Sequence, residues 1–426
     1  MFSGGRKLNK LVINGGKKLS GEIKLQGAKN SILPILSATV LTNGETVLEN
    51  CPDLSDVYAS CRILTHIGLK VCRENPDIIV ISGTGAKTAE IPDSLMSCMR
   101  SSVNFLGSLI GRCGECSISF PGGCQLGPRP LDIHLSALRS MGVSISEEHG
   151  YIKCTVPHGI HGAKITLPFP SVGATENIIL AAVLADGETE IINAAREPEI
   201  NDLILYLKKC GARIQSSGGG NIFVEGVSSL SGTDFRIMPD RIAAATYMAA
   251  AAATGGAVQL NCTEGIDTDL FTVYFEQMGC RVYNSGKSVF IKSGKSIKPV
   301  KSLKTMPYPG FPTDMQAVFM SVLCRASGTS VFEENIFEDR YRHVDALNRM
   351  GADIKVYGKI AVVEGVERLY GAEVSATDLR GGAAMVIAAL SADGKTTVSE
   401  AGHIDRGYEK IEQILSSVGA DIIRKS

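Results

Sequence analysis

Neither sign of charge prevails in this chain of 426 residues, where 43 lysines and arginines stand against 44 aspartates and glutamates. With a net charge of −1 the bulk electrostatics offer no field for nucleic acid or a membrane surface. An anionic ligand must therefore be met by local arginines and lysines. Long apolar runs are also missing. The longest, Ile242 to Thr254, is alanine-rich and too short to span a bilayer. The first ten residues, Met1 to Lys10, are polar and basic, without the apolar core of a secretory signal. The 12 cysteines do not cluster with the 7 histidines, and His158 with His161 reads as a solvated loop pair, so no metal site is expected. Gly-Lys-Ser/Thr occurs at 286–288, 294–296 and 394–396, but Arg281, Val289 and Ala389 stand where a phosphate-binding loop needs glycine. No GxGxxG or GxSxG motif is present, which argues against nicotinamide and esterase chemistry.

What the chain does have is repetition. An amphipathic helical pattern, a glycine and a short β-branched strand recur at Gly68, Gly142, Gly211, Gly279, Gly351 and Gly419. Glycine just past a helix permits the left-handed conformation that turns the chain back into a strand. A second glycine precedes each: Gly44, Gly114, Gly187, Gly256, Gly328 and Gly394, each following a helical segment rich in small residues. The unit is roughly 70 residues with two helices and several strands, longer than the 20 to 50 residues of ordinary solenoid repeats. Closed packing of three units into each of two lobes fits better than a linear stack.

The small-residue helices begin with polar residues: Lys29 and Asn30, Arg100, Ser171, Asp240 and Arg241, Asp314, then Asp378 and Arg380. Helix N-termini attract anions, and arginine grips phosphate or carboxylate bidentately. Any one of these alone reads as surface charge; recurrence at one position of the repeat points to function. The loop Pro121-Gly-Gly-Cys-Gln-Leu-Gly-Pro-Arg-Pro-Leu-Asp132 places Cys124 near Arg129, whose charge favours the thiolate. The other cysteines lie mostly in helical or strand patterns and read as small core hydrophobes. Asp314 in Phe311-Pro-Thr-Asp-Met-Gln316 reads as a helix cap or dipole partner, and Arg406 in His403-Ile-Asp-Arg-Gly-Tyr408 as one half of a surface ion pair, unless both serve chemistry.

Taken in order, GAKNSILPIL, PGGCQLGPRPLDIH, SVGATENI, NAAREPEI, FPTDMQA, ATDLRGGAA and HIDRGYE resemble the UDP-N-acetylglucosamine 1-carboxyvinyltransferase family of enolpyruvyl transferases, from about Leu11 to the C-terminus. The resemblance implies an α/β (α+β) fold of two inside-out α/β barrel domains, each of three βαβαββ-type repeats with pseudo-threefold symmetry. One domain would be 29–238, carrying the catalytic loop, and the other 1–28 plus 239–426, with the active site in the cleft between them. It implies transfer of the enolpyruvyl group of phosphoenolpyruvate to the 3-hydroxyl of UDP-N-acetylglucosamine, with release of phosphate. That is the first committed step of peptidoglycan precursor synthesis, cytoplasmic, without cofactor or metal and with no nucleic-acid, membrane or obligate protein partner.

The resemblance also implies residue roles. Cys124 protonates the methylene carbon of phosphoenolpyruvate, forms a covalent adduct with it, and is the thiol reached by epoxides such as fosfomycin. Lys29, Arg129 and Arg406 hold the phosphate and carboxylate, and Asp314 is the base for the sugar hydroxyl. Asn30, Arg100, the strip Arg129, Pro130, Leu131, Asp132 and Ile133, together with Ser171, Val172 and Ile336, contact the nucleotide sugar. Arg340, Asp378 and Arg380 belong to the surrounding charge network. Phe169 stands where some members carry lysine, which removes one diphosphate contact. The nearest rival is the sister transferase acting on shikimate 3-phosphate, which the cysteine loop and NAAREPEI disfavour. Against a binding protein that has lost catalysis stand Cys124, Asp314, Lys29, Arg129 and Arg406, all present together.

Overall fold

The structure, a computed structural model, describes residues 9–122, 131–294 and 296–425. The described residues through Gln26 and from Pro239 onward form one compact unit, and those from Gly27 to Met238 form a second.

Six inner helices organise the two units. In the unit of Gly27 to Met238 they are α1 (Lys29–Ala38), α2 (Asn104–Cys113) and α3 (Val172–Ala182); in the other they are α4 (Arg241–Thr254), α5 (Thr313–Leu323) and α6 (Leu379–Ser391). Their sequences are apolar on nearly every face, and a helix of that kind belongs inside a core. In α4 every residue from Arg241 to Ala253 is buried. The alanines have a purpose: α4, α5 and α6 each pack on the other two. Likewise α2 packs on α1 and α3, and a side chain at Gly107 would collide with the main chain of Asn177 on α3. Each isoleucine or leucine taken fully out of water here contributes about 2 kcal/mol.

Among the described residues, six separate sheets lie around the helices. One repeat shows the plan. Strand Lys164–Thr166 runs through α3 into Glu188–Ile192, its parallel neighbour. Helix Pro198–Lys209 follows, and the antiparallel hairpin of Arg213–Ser217 and Asn221–Glu225 completes the sheet. A parallel pair requires such a helical crossover, whereas the hairpin needs only a tight turn. The arrangement βαβαββ recurs with the same sheet order in the others, but in three sheets a strand comes from far along the chain. Ser20–Lys24 pairs with Ala257–Asn261. Lys10–Asn14 lies between Lys395–Ser399 and Asp421–Lys425. Leu230–Ser231 and Asp234–Arg236 both run beside Thr42–Glu49.

The glycines that mark the repeats behave as the sequence requires. Gly68, Gly142, Gly211, Gly279, Gly351 and Gly419 all adopt positive φ, from 88° to 106°. In the second set Gly256 does not; Gly255 beside it takes the left-handed position, at φ 69°. Among the described residues no helix is long and apolar enough to cross a membrane.

Candidate active site

In the unit of Gly27 to Met238, Lys29 is the first residue of α1. Its Nζ lies 2.8 Å from Oδ2 of Asp56, with the two side chains only 10% and 4% exposed. Asp56 stands in the first turn of helix Ser55–His66, where a carboxylate also suits the helix dipole. Asn30 is exposed beside Lys29. Arg100 opens the short 3₁₀ turn Arg100–Val103 ahead of α2 and donates from Nη1 to the carbonyl of Pro121 at 3.5 Å. Leu131 is buried, Asp132 begins helix Asp132–Ser140 exposed, and Ile133 is partly buried. Ser171 caps α3 by accepting the Ala174 N–H at 3.4 Å, and Val172 leans on the core. Phe169 is 41% exposed. Cys124, Arg129 and Pro130 lie outside the described residues.

A buried polar network ties these elements together. The Asn177 amide nitrogen lies 3.0 Å from His134 Nδ1, and it donates to the Gly173 carbonyl at 3.3 Å. Asn177 Oδ1 accepts the Gly107 N–H at 2.7 Å. Helix Asp132–Ser140 is thereby held to the start of α3, with Gly173 pressed against the His134 ring. Next to this, Asn104 Nδ2 donates to Glu176 Oε2 at 2.7 Å. Burial pushes the Glu176 carboxyl up to about 8, so it is neutral at pH 7 and carries a proton to donate. Asn104 Oδ1 is a buried acceptor without a hydrogen-bond partner among the described residues.

That shift has a sign. The folded state holds the Glu176 proton up to about pH 8, while the unfolded chain releases it near 4.5. Across that window the unfolded state binds fewer protons, so stability falls as pH rises. The Glu176→Gln variant will lose much of this slope. Melting temperatures at pH 5 and pH 8 that differ as much in the variant as in the parent would refute it.

In the other unit Asp314 is the second residue of α5. Its Oδ1 meets Arg340 Nη2 at 3.1 Å, and its Oδ2 meets Arg380 Nη2 at 2.9 Å and Nε at 3.2 Å. Both arginine side chains are 1% exposed while the carboxylate is 29% exposed, so the guanidiniums hold it from beneath and leave it open to one side. Arg340 is fixed in turn by donating twice to the Thr313 carbonyl, at 3.2 and 2.9 Å. Asp378 caps α6, accepting the N–H groups of Arg380 and Gly381 at 2.9 and 3.1 Å. Burial opposes its ionisation, but Arg340 and these N–H donors outweigh it and bring the carboxyl below its usual value. His343, wholly buried, falls to about 4 and stays neutral. Arg406 ends the 3₁₀ segment Ala401–Arg406 and is partly buried. The neighbouring Asp405 is engaged with Arg424 at 3.0 and 2.7 Å.

Glu334 is a residue the sequence reading missed. Its buried carboxylate accepts from Thr305 and Thr313 hydroxyls at 2.9 and 3.0 Å. It also accepts from the N–H groups of Ile336 and Phe337 at 2.9 and 3.1 Å. One side chain thus fixes both the turn before Asp314 and the loop bearing Ile336. Its only signal was an acidic residue next to another, Glu333, at a strand end.

The remaining cysteines divide as their pattern implies. Cys51, Cys116, Cys154, Cys210, Cys280 and Cys324 are buried. Burial pushes the thiols of Cys51 and Cys324 up to about 12, far from a reactive thiolate. Cys113 and Cys116 stand at Cys-x-x-Cys spacing. The fold separates their environments, with Cys113 exposed at the end of α2 and Cys116 buried in strand Glu115–Ser119.

The profile of the EPSP synthase (3-phosphoshikimate 1-carboxyvinyltransferase) family matches residues 13–415. The chain belongs to this family. Within it, a protein of Caldanaerobacter subterraneus named UDP-N-acetylglucosamine 1-carboxyvinyltransferase 2 is 50% identical, over 98% of this chain and 100% of its own length. UDP-N-acetylglucosamine 1-carboxyvinyltransferase 1 of Clostridium acetobutylicum is 45% identical over 98% of the chain and 100% of its own. Among solved structures, the enolpyruvyl transferase NikO of Streptomyces tendae superposes with a TM-score of 0.88 at 23% identity, over 98% of this chain and 99% of that one. EPSP synthase of Acinetobacter baumannii gives 0.77 at 20% identity, over 98% and 100%. At those identities the structures establish the fold, two domains of mixed helices and sheets, and nothing finer.

Proposed function

We propose that this chain transfers the enolpyruvyl group of phosphoenolpyruvate to the 3-hydroxyl of UDP-N-acetylglucosamine, opening peptidoglycan precursor synthesis. The observation that carries this reading is identity of 43–50% over nearly the whole chain to relatives named for that acceptor. The family profile carries the shikimate enzyme's name, but to the solved structures of Acinetobacter baumannii EPSP synthase the likeness is in fold, at 20% identity. We place the reaction in the cytoplasm, where both substrates are made.

The residues fit an addition–elimination. Protonation of C3 of phosphoenolpyruvate by the Cys124 thiol makes C2 electrophilic. The sugar oxygen then attacks C2 as Asp314 takes its proton. Loss of a proton from C3 restores the double bond as phosphate leaves. Asp314 suits the part of base because its carboxylate is held in one orientation by Arg340 and Arg380 yet open on one side. Lys29, Arg129 and Arg406 would neutralise phosphate and carboxylate directly, by electrostatic stabilisation. Lys29 and Cys124 fall within 29–238, and Asp314 and Arg406 within 239–426, so substrates would be engaged by both domains. Asn30, Arg100, the strip Arg129 to Ile133, Ser171, Val172 and Ile336 would hold the nucleotide sugar, with Asp378 completing the network around Arg340.

The test is phosphate release from phosphoenolpyruvate with UDP-N-acetylglucosamine, beside a parallel assay with shikimate 3-phosphate. Release is expected with the nucleotide sugar alone and lost in Cys124→Ala. Cys124→Asp will retain measurable turnover, since a carboxyl still donates a proton, and will resist thiol-directed epoxides. Turnover with shikimate 3-phosphate instead would assign the chain to the sister activity, and alkylation of the Asp variant would exclude Cys124 as the reactive thiol.

A further inference from the structure

We infer that Gln26 is a positioning residue for Arg406, joining the crossover between the two compact units to the turn that carries that arginine. Gln26 is the last residue of its segment before the chain passes to the other unit, and Pro239 is the first after it returns. It is 5% exposed, and its side-chain amide bonds this turn through both its nitrogen and its oxygen. Nε2 donates to the Gly407 carbonyl at 3.2 Å, and Oε1 accepts the Glu409 N–H at 3.0 Å. The amide pairs with the backbone on either side of Tyr408 as a peptide group of a neighbouring strand would, and the arrangement needs both its donor and its acceptor. The main-chain carbonyl of Gln26 is also engaged, accepting the Asp240 N–H at 2.9 Å. Asp240 caps α4 through the N–H groups of Ile242 and Ala243, at 2.8 and 2.9 Å. One residue therefore ties together the outgoing crossover, the returning one and the turn after Arg406.

That turn cannot move away from Gln26 on its own. Gly407 has no room for a side chain: a Cβ there would stand 2.5 Å from Leu379 Cδ1 and 3.3 Å from Arg380 Nη1. Tyr408 is wholly buried, with its hydroxyl 3.0 Å from Thr246 Oγ1 on α4. The turn is thus wedged between the start of α6 and the amide of Gln26. Releasing the amide removes the two hydrogen bonds on that side, next to Arg406.

The consequence for catalysis rests on the reading of Arg406 as a holder of phosphoenolpyruvate. Gln26→Ala and the near-isosteric Gln26→Glu, which keeps the acceptor and opposes a second oxygen to the Gly407 carbonyl, will each raise KM for phosphoenolpyruvate about fivefold to tenfold. KM for the nucleotide sugar will stay within about twofold, a split that general loosening of the fold would not produce. Arg406→Ala serves as the control, and amide hydrogen exchange at Glu409 as an independent measurement. Exchange there should quicken about fivefold in Gln26→Ala as the Oε1 acceptor is lost. If Arg406→Ala raises this KM and both Gln26 variants leave it unchanged, the inference falls. If Arg406→Ala itself leaves it unchanged, the reading of Arg406 fails instead. Exchange at Glu409 then decides alone: faster in Gln26→Ala sustains the hold on the turn, unchanged refutes it.

Discussion

Asp314→Asn will lower kcat by about 10² to 10⁴-fold, the range lost when a positioned base is removed. The substitution keeps the shape and volume of the carboxylate and takes away its charge. That also leaves the guanidiniums of Arg340 and Arg380, each 1% exposed, without the anion they grip. Breaking a buried pair costs about 3–5 kcal/mol, and the 29% exposure of Asp314 places this one at the lower end. A fall in melting temperature will therefore accompany the kinetic loss. The two effects separate under substrate saturation well below the melting temperature, where only the kinetic loss persists. A variant with kcat within threefold of the parent would remove Asp314 from the base's role, whatever its stability.

The second large effect falls on Asp56. Asp56→Ala removes the carboxylate 2.8 Å from the Lys29 ammonium, in surroundings where the lysine is 10% exposed. An ammonium left there without that partner costs about 3–5 kcal/mol. Activity will fall with stability, because Asp56 fixes the direction in which Lys29 points. Asp56→Asn keeps a hydrogen-bond acceptor at the same place, so it will be the milder of the two in chemical denaturation. A stronger KM effect on phosphoenolpyruvate than on the nucleotide sugar is expected in both. Equal denaturation midpoints for Asp56→Ala and the parent would show that Lys29 finds its compensation elsewhere.

Much of this architecture could be read in advance because it is local. Left-handed glycine after an amphipathic helix announces itself within a few residues, and all six glycines from Gly68 to Gly419 keep that conformation. The alanine run of α4 likewise foretold close packing, and the helix occupies the interior with α5 and α6. The polar residues at the helix starts were legible from recurrence: Lys29, Ser171, Asp240, Asp314 and Asp378 all stand at or beside the first turn of an inner helix. Arg100 departs slightly, lying in a 3₁₀ turn ahead of α2.

What escaped was pairing across the chain. Nothing in the surroundings of Asp56 names Lys29 as its partner, and nothing in Leu-Gln-Gly names the turn 381 positions away. Glu334 was invisible for the same reason, since the worth of a carboxylate with four donors depends on where those donors converge. The neutral state of Glu176 is equally a product of burial, which no single residue type declares. Sequence pattern reveals which residues carry charge to a helix end, and tertiary structure alone reveals what holds each charge still.

The borrowed strands bear on how the protein is made. Lys10–Asn14 and Ser20–Lys24 are made long before their neighbours at Ala257–Asn261, Lys395–Ser399 and Asp421–Lys425. The stretch from Gly27 to Met238 contains every strand of its own sheets, including the late pair that borders Thr42–Glu49, and can mature while synthesis continues. Ser20–Lys24 must instead wait for Ala257–Asn261, and Lys10–Asn14 for the strands at Lys395–Ser399 and Asp421–Lys425. Removing Asp421–Lys425 would leave Lys10–Asn14 with one flank bare, so the pairing of that early strand is complete only once this late one is present.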